Sequence, residues 1–311
     1  MRFILGLMLV LFSQFGWSQQ AGPLTAEDRE IIAEYEDTLA VLSLMMVTDS
    51  VEKNRFAAVR KMIPTLVKAL QRPNSFQYPF DRLRSISIQY APDSTFRIFT
   101  WQLFVDENTY RYYGAIQMNQ SQLQLFPLID RSFAIEGSVV RAELTPEKWY
   151  GALYYNILQL DHPDRGPRYL LLGYDQYRLY RRRKLMDVLY FDNDGQPQFG
   201  DPIIPLAQGD PLHRLLLEYS AEAKVRFNYD PTLELIIFDH LIEMEGRYGE
   251  GTVNVPDGSY QAYQMTDGKL TFVEKVFDQV SEEAPRDMPV LDGNRSDKRD
   301  ILGRKKEGGK N

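Results

Sequence analysis

"FRIFTWQLFVDENTYRYYGAIQM", residues 96–118, decides the fold. Two aromatic-rich runs flank Asp106-Glu107-Asn108-Thr109, a turn composition that predicts a β-hairpin. Over a four-residue turn Val105 faces Tyr110, and Leu103 with Tyr112, Trp101 with Gly114 and Phe99 with Ile116 follow. That face is apolar, and Gly114 leaves room for the Trp101 ring. The reverse face sets Phe104 beside Arg111, Gln102 beside Tyr113, Thr100 beside Ala115 and Ile98 beside Gln117. An apolar face belongs to a core. The mixed face, with Gln102, Arg111 and Tyr113, is a candidate surface for a sugar or peptide, or an ordinary half-exposed sheet face that the helices cover.

From about residue 84 the apolar period stays at two. Turn signals recur at His162-Pro163-Asp164-Arg165-Gly166, Asn193-Asp194-Gly195, Asp230-Pro231, Pro256-Asp257-Gly258 and Asp267-Gly268. No helical pattern crosses between these runs, which excludes a parallel sheet. Residues 222–229 alternate most cleanly, with Ala223, Val225, Phe227 and Tyr229 on one face of an expected strand. A second aromatic–glycine pair, Tyr155 opposite Gly173, is expected in 151–175. Upstream, 25–72 reads as a helical hairpin. Thr25 and Asp28 form a cap-like start, Ile31, Tyr35, Leu39, Leu42 and Met46 make one stripe, and Phe56, Val59, Ile63, Leu66 and Leu70 the next, with a kink or break expected at Pro64. The predicted class is α+β, mainly β: an N-terminal helical hairpin packed on a large antiparallel β-meander over 84–280, barrel-like or in two sheets.

Residues 1–18 have a different character. Arg2, an apolar run from Phe3 to Phe12, and Gly16-Trp17-Ser18 form a secretory signal pattern with cleavage near Ser18–Gln19. The run is far short of the ~20 residues a membrane-spanning helix needs, and no later segment approaches that length. The chain has no cysteine, so disulfides, thiolate ligands and cysteine nucleophiles are excluded. Three histidines make a histidine-rich zinc site a poor expectation, and no metal or cofactor is predicted. Residues 294–311 carry seven basic against three acidic side chains, within an expected disordered basic tail over 281–311. The formal charge of the whole chain is −7, so the body is strongly acidic and nucleic acid is not an expected partner.

Chemistry-bearing candidates are few. In "LELIIFDHLIE" Asp239 shares a strand face with Leu233, Leu235, Ile237 and Leu241, and Asp187 in "KLMDVLYF" poses the same question: a carboxylate on an apolar face is paired, raised in pKa, or lies past the strand's end. His240 points away from Asp239 unless a bulge intervenes. Asp192-Asn193-Asp194-Gly195 opens like a calcium loop but has Ile203 where the bidentate acid belongs, so a hairpin turn is expected. "YDQYRLYRRRKL" interleaves Tyr174, Tyr177 and Tyr180 with Arg178, Arg181, Arg182, Arg183 and Lys184. This patch suits a phosphate, an anionic glycan or a lipid headgroup, or is a salt-bridged surface. No serine-hydrolase elbow, P-loop, zincin or dinucleotide fingerprint is present.

The phrases "FRIFTWQLFVDENTYRYYGAIQM", "LFPLIDRS", "WYGALYYNI", "RKLMDVLYF", "LEYSAEAKVRFNYD", "LIIFDHLI" and "VPDGSYQAY" resemble an uncharacterised family of exported, signal-peptide-bearing proteins of Bacteroidota. The resemblance implies a periplasmic or secreted location and carries over no site residue. The expected function is a non-catalytic binding or scaffold protein of the cell envelope, its partner an anionic glycan, a lipid headgroup or another envelope protein. The alternative is a polysaccharide-acting hydrolase with an Asp/Glu pair, Asp239 and Asp187 being the carboxylates to try.

Overall fold

The structure is a computed structural model and describes residues 22–276 apart from 248 and 250. The expected signal over 1–18 and basic tail over 281–311 lie outside the described residues. Two helices, α1 (Ala26–Thr48) and α2 (Glu52–Leu70), precede three antiparallel sheets. The first sheet holds β1 (Ser87–Tyr90), β2 (Phe96–Asp106), β3 (Thr109–Met118) and β4 (Leu125–Ile129) in chain order. The second holds β5 (Leu153–His162), β6 (Gly166–Arg178), β7 (Arg181–Phe191) and β8 (Pro197–Phe199), with β9 (Arg214–Ser220) also paired to β7. The third holds β10 (Phe227–Asp230), β11 (Leu235–Glu245), β12 (Thr252–Thr266) and β13 (Lys269–Val273). The fold is therefore α+β, mainly β. In place of a barrel or two sheets there are three open ones.

Burial on both faces explains the unbroken apolar runs. Phe99, Trp101 and Leu103 of β2 pack with the buried faces of α1 and α2. Phe96 and Ile98, on the other side, pack with Tyr112 and Ile116 of β3 and with Leu171, Leu185 and Leu189 of the second sheet. Leu170, Leu172, Met186 and Val188 turn the opposite way, onto Phe227, Ile236 and Phe238 of the third sheet. Helices and sheets so alternate with three apolar layers, and strands buried twice need no polar face.

Leu39, Met46, Val59, Leu66 and Leu70 are buried as expected, but the helix stripes are partly rotated. Thr25 caps α1 by accepting from the Asp28 amide at 3.0 Å. The buried face then runs through Asp28, Ile32, Glu36, Leu39, Ser43 and Met46, one position on from Ile31 and Tyr35. Its two carboxylates are satisfied from the segment after α2, Glu36 by the Tyr78 hydroxyl at 2.7 Å and the Arg82 backbone and side chain, Asp28 by Arg72. α2 continues through Pro64 without a break. Ile63, expected inside, is 37% exposed.

The β2–β3 hairpin departs from its predicted register by one residue. Asp106 pairs with Thr109, then the ladder slips, and Phe104 faces Tyr110, Leu103 faces Arg111, Trp101 faces Tyr113 and Thr100 faces Gly114. The cause is a bulge at Val105. Buried Arg55 of α2 closes it, donating to the carbonyls of Phe104 at 2.7 Å, Val105 at 2.9 Å and Asp49 at 2.8 Å. Gln102 consequently sits on the face opposite Arg111 and Tyr113, so the three do not form one surface. A similar slip puts Tyr154, not Tyr155, opposite Gly173. A Cβ on Gly173 would lie 3.0 Å from the Tyr154 ring. The strand expected over 222–229 shortens to β10, because the Arg226 amide donates to the Asp239 side chain, not to a neighbouring strand's carbonyl.

Candidate functional site

β4 pairs with β3 only over Tyr113–Gln117, and Asp130 takes the Tyr112 amide, which leaves the Thr109–Arg111 stretch of β3 with an open edge. That edge lies along a cleft of about 970 Å³, lined by α2, β3, β4, the segment after β4 and the β6–β7 hairpin end. The volume falls within the range of small-molecule sites. Asn108 ties the two hairpin ends together by accepting from the Leu179 amide at 3.4 Å. Gly151 is required where the chain passes Asp130 and Tyr112. A Cβ there would lie 2.5 Å from the Asp130 carboxyl carbon and 2.6 Å from Tyr112 Cβ.

The cleft has an apolar and a polar part. On the helix side Ile63, Leu66, Leu70, Trp101, Tyr113 and Leu125 form its wall. Trp101 stacks on Tyr113 with ring centroids 5.9 Å apart, and its indole N–H is buried without an acceptor. At the mouth Phe133 is 81% exposed, an unusual position for a ring of that size.

The polar part is organised by Asp175, buried near the end of β6. Its carboxylate accepts from the Tyr112 hydroxyl at 3.0 Å, the Tyr150 hydroxyl at 2.7 Å and the Tyr177 amide at 2.8 Å. The Tyr177 bond holds that residue at φ 52° in the slip between Asp175 and Arg178. Burial raises the Asp175 pKa, and the phenols, the Tyr177 amide and Arg183 oppose the rise. Burial, reinforced by Asp175, also pushes both phenols well above their ordinary value. Asp130, on the other side of Tyr112, accepts from the Tyr112 amide at 3.1 Å and from the Ser132 amide and hydroxyl. Both cleft carboxylates thus have internal donors on hand.

Four arginines line the cleft, and every one lies over an aromatic ring: Arg111 over Phe56 at 5.6 Å, Arg131 over Phe133 at 6.0 Å, Arg178 over Tyr177 at 4.9 Å and Arg183 over Tyr177 at 3.3 Å. Arg183 is committed to Glu218 at 2.7 Å and to the Tyr150 hydroxyl at 3.1 Å. Arg111, Arg131 and Arg178 are exposed and form no salt bridge among the described residues.

The basic patch read from the sequence is thereby divided. Arg178, Arg183 and Tyr177 join the cleft with Arg111 and Tyr113. Arg181 pairs with Glu218 at 2.8 Å, and Arg182 donates to the carbonyls of Gln176, Leu179 and Arg181, closing the hairpin turn beside exposed Tyr180. Glu218, bonded by both Arg181 and Arg183, keeps a lowered pKa although burial works against it. Lys184 points into a separate shallow pocket with Tyr155, Tyr174 and Arg226, where burial lowers its pKa against the pull of Asp239.

The two carboxylates singled out do not meet in a cleft. Asp187 and Arg214 are both 0% exposed and paired at 2.8 Å, with the Tyr154 hydroxyl 3.1 Å from the same carboxylate. Asp239 lies in another sheet, raised in pKa by burial and bonded to the Arg226 amide. A bulge does follow it, but His240 pairs with Asp257 at 2.8 Å instead. The Ser259 hydroxyl donates to Asp257 and not to the imidazole, so no activated nucleophile results. Asp192 accepts from the amides of Asp194 and Gln196 as a hairpin turn.

Sequence reasoning passed over Asp175, Tyr112, Tyr150, Arg131 and Phe133. Asp175 carried the same signal as Asp187, a lone acid closing the apolar run "LLLGYD". Among the described residues no three His, Asp or Glu side chains are placed to hold a metal ion, and no helix is long and apolar enough to cross a membrane. Comparison with family models, with curated proteins and with solved structures finds no match to this chain.

If Asp187 serves only to neutralise Arg214, Asp187→Asn strands a buried guanidinium and lowers unfolding free energy by about 3–5 kcal/mol in denaturant titrations. Asp187→Leu combined with Arg214→Met recovers most of that loss. A double variant no more stable than Asp187→Asn would contradict the pairing role.

Proposed function

We propose that this chain is an exported, non-catalytic binding protein of the cell envelope that holds its ligand in the cleft between α2 and the β6–β7 hairpin end. The observation that carries the reading is an asymmetry in that cleft. Asp175 is bonded to the buried phenols of Tyr112 and Tyr150, and Asp130 to the Tyr112 amide and Ser132, whereas the apolar wall and Arg111, Arg131 and Arg178 face open space. Groups already saturated hold a shape, and groups left open recognise something. A hydrolase built on Asp130 and Asp175 is less well supported, since each carboxylate accepts three internal hydrogen bonds. The signal pattern of residues 1–18 and the resemblance to exported Bacteroidota proteins support the location.

Nile red, a neutral apolar dye, is expected to brighten on binding the protein. Phe133→Ser and Ile63→Glu, both at exposed positions, are expected to weaken that binding about fivefold or more without lowering the unfolding midpoint. Unchanged dye binding in both variants would remove the cleft from the account. For the location, intact mass of protein recovered from its source cells is expected to match a chain beginning at Gln19; a chain beginning at Met1 would rule out export through this signal.

A further inference from the structure

We infer that the ligand is a single-chain amphiphile with an anionic head, its chain lying along the helix-side wall and its head at the arginines around the open edge of β3. This deepens the binding reading and rests on it. Three features lead to it. The lining stretch of β3 from Thr109 to Ala115 runs about 20 Å at ordinary strand rise, so the cleft is long. One part of that length is walled by Ile63, Leu66, Leu70 and Trp101, which offer an alkyl chain dispersion contacts and no polar cost.

The third feature is charge. The whole chain is acidic, at −7, yet this cleft gathers four arginines against Asp130 and Asp175. Arg111, Arg131 and Arg178 have no carboxylate partner among the described residues. Each lies over a ring, and stacking occupies the guanidinium's face; the edges of Arg131 and Arg178 carry no side-chain hydrogen bond among the described residues, and Arg111 spends part of its edge on the Tyr113 hydroxyl. A planar fork with a free edge matches a carboxylate or a phosphate. A neutral sugar would leave these cations unanswered, and a bare anion would leave the apolar wall unused. Both parts of the cleft are filled only by a molecule that has both.

Titration calorimetry with dodecanoate, dodecyl phosphate, dodecyltrimethylammonium, dodecyl maltoside and inorganic phosphate, each below its micelle concentration, separates the terms. Dodecanoate or dodecyl phosphate is expected to bind about tenfold or more tightly than the cationic and neutral surfactants of equal chain length. The stronger of the two identifies a fatty-acid-like or a phospholipid-like source. Inorganic phosphate is expected to show no binding at the same concentrations. Arg111→Gln with Arg178→Gln is expected to erase that preference and leave dodecyl maltoside unchanged; Arg141→Gln, an exposed arginine outside the cleft, serves as control. Equal binding of anionic and cationic surfactants overturns the head assignment while the apolar cleft stands. Tight binding of phosphate alone overturns the amphiphile. If no chain-bearing probe binds and Nile red does not either, the binding reading itself falls.

Discussion

Strands buried on both faces are the constraint on which this structure depends. β2, β6 and β7 each contribute side chains to two of the three apolar layers. The chain has no cysteine to cross-link those layers, so their cohesion comes from apolar area removed from water. The same geometry makes every enclosed polar group expensive unless it is paired inside. Arg97 shows the cost being offset with no counter-ion among the described residues. Its guanidinium donates to Gln117 at 2.8 Å, the Tyr78 carbonyl at 2.6 Å, the Tyr90 hydroxyl at 2.7 Å and the Ser75 carbonyl at 2.9 Å, with the Phe80 and Phe99 rings against it. Burial lowers its pKa to about 10, so it stays charged at neutral pH.

The cleft is where this layering ends. It runs along β3 past the end of the β4 pairing, and the segment after β4 pairs Asp130 with Trp149. The second sheet contributes its own end there, the β6–β7 turn, fixed by Asp175 and the left-handed Tyr177. A rigid frame thus presents an edge, and the residues at that edge are the ones with unspent contacts. Asp175 is best understood as a positioning group: it sets Tyr177, and Tyr177 carries Arg178 and Arg183 on its ring.

What could be read from the residues follows the same physics. Periods of two and turn signals gave the antiparallel strands, and the Thr25–Asp28 cap gave the start of α1. The bulge at Val105 was not legible, because its cause is Arg55, some fifty residues earlier, reaching two carbonyls no local pattern mentions. The shortened strand at 222–226 has the same kind of cause, a side chain of β11 taking the Arg226 amide. The basic run 178–184 looked uniform in sequence. Only Glu218 on β9 and the turn carbonyls reveal that part of it is structural and part faces the cleft. Phe133 stands in a segment with no periodicity, and its exposure is a tertiary fact.

Native-state hydrogen exchange tests the central claim most directly. If the second sheet is sealed between two apolar layers, the amides of Leu170–Leu172 and Met186–Val188 exchange only through global unfolding, with the full unfolding free energy. Amides of the edge strand Leu125–Ile129 exchange far sooner. Exchange of Leu170–Leu172 as fast as that edge strand would contradict the layered core, and with it the frame that holds the cleft.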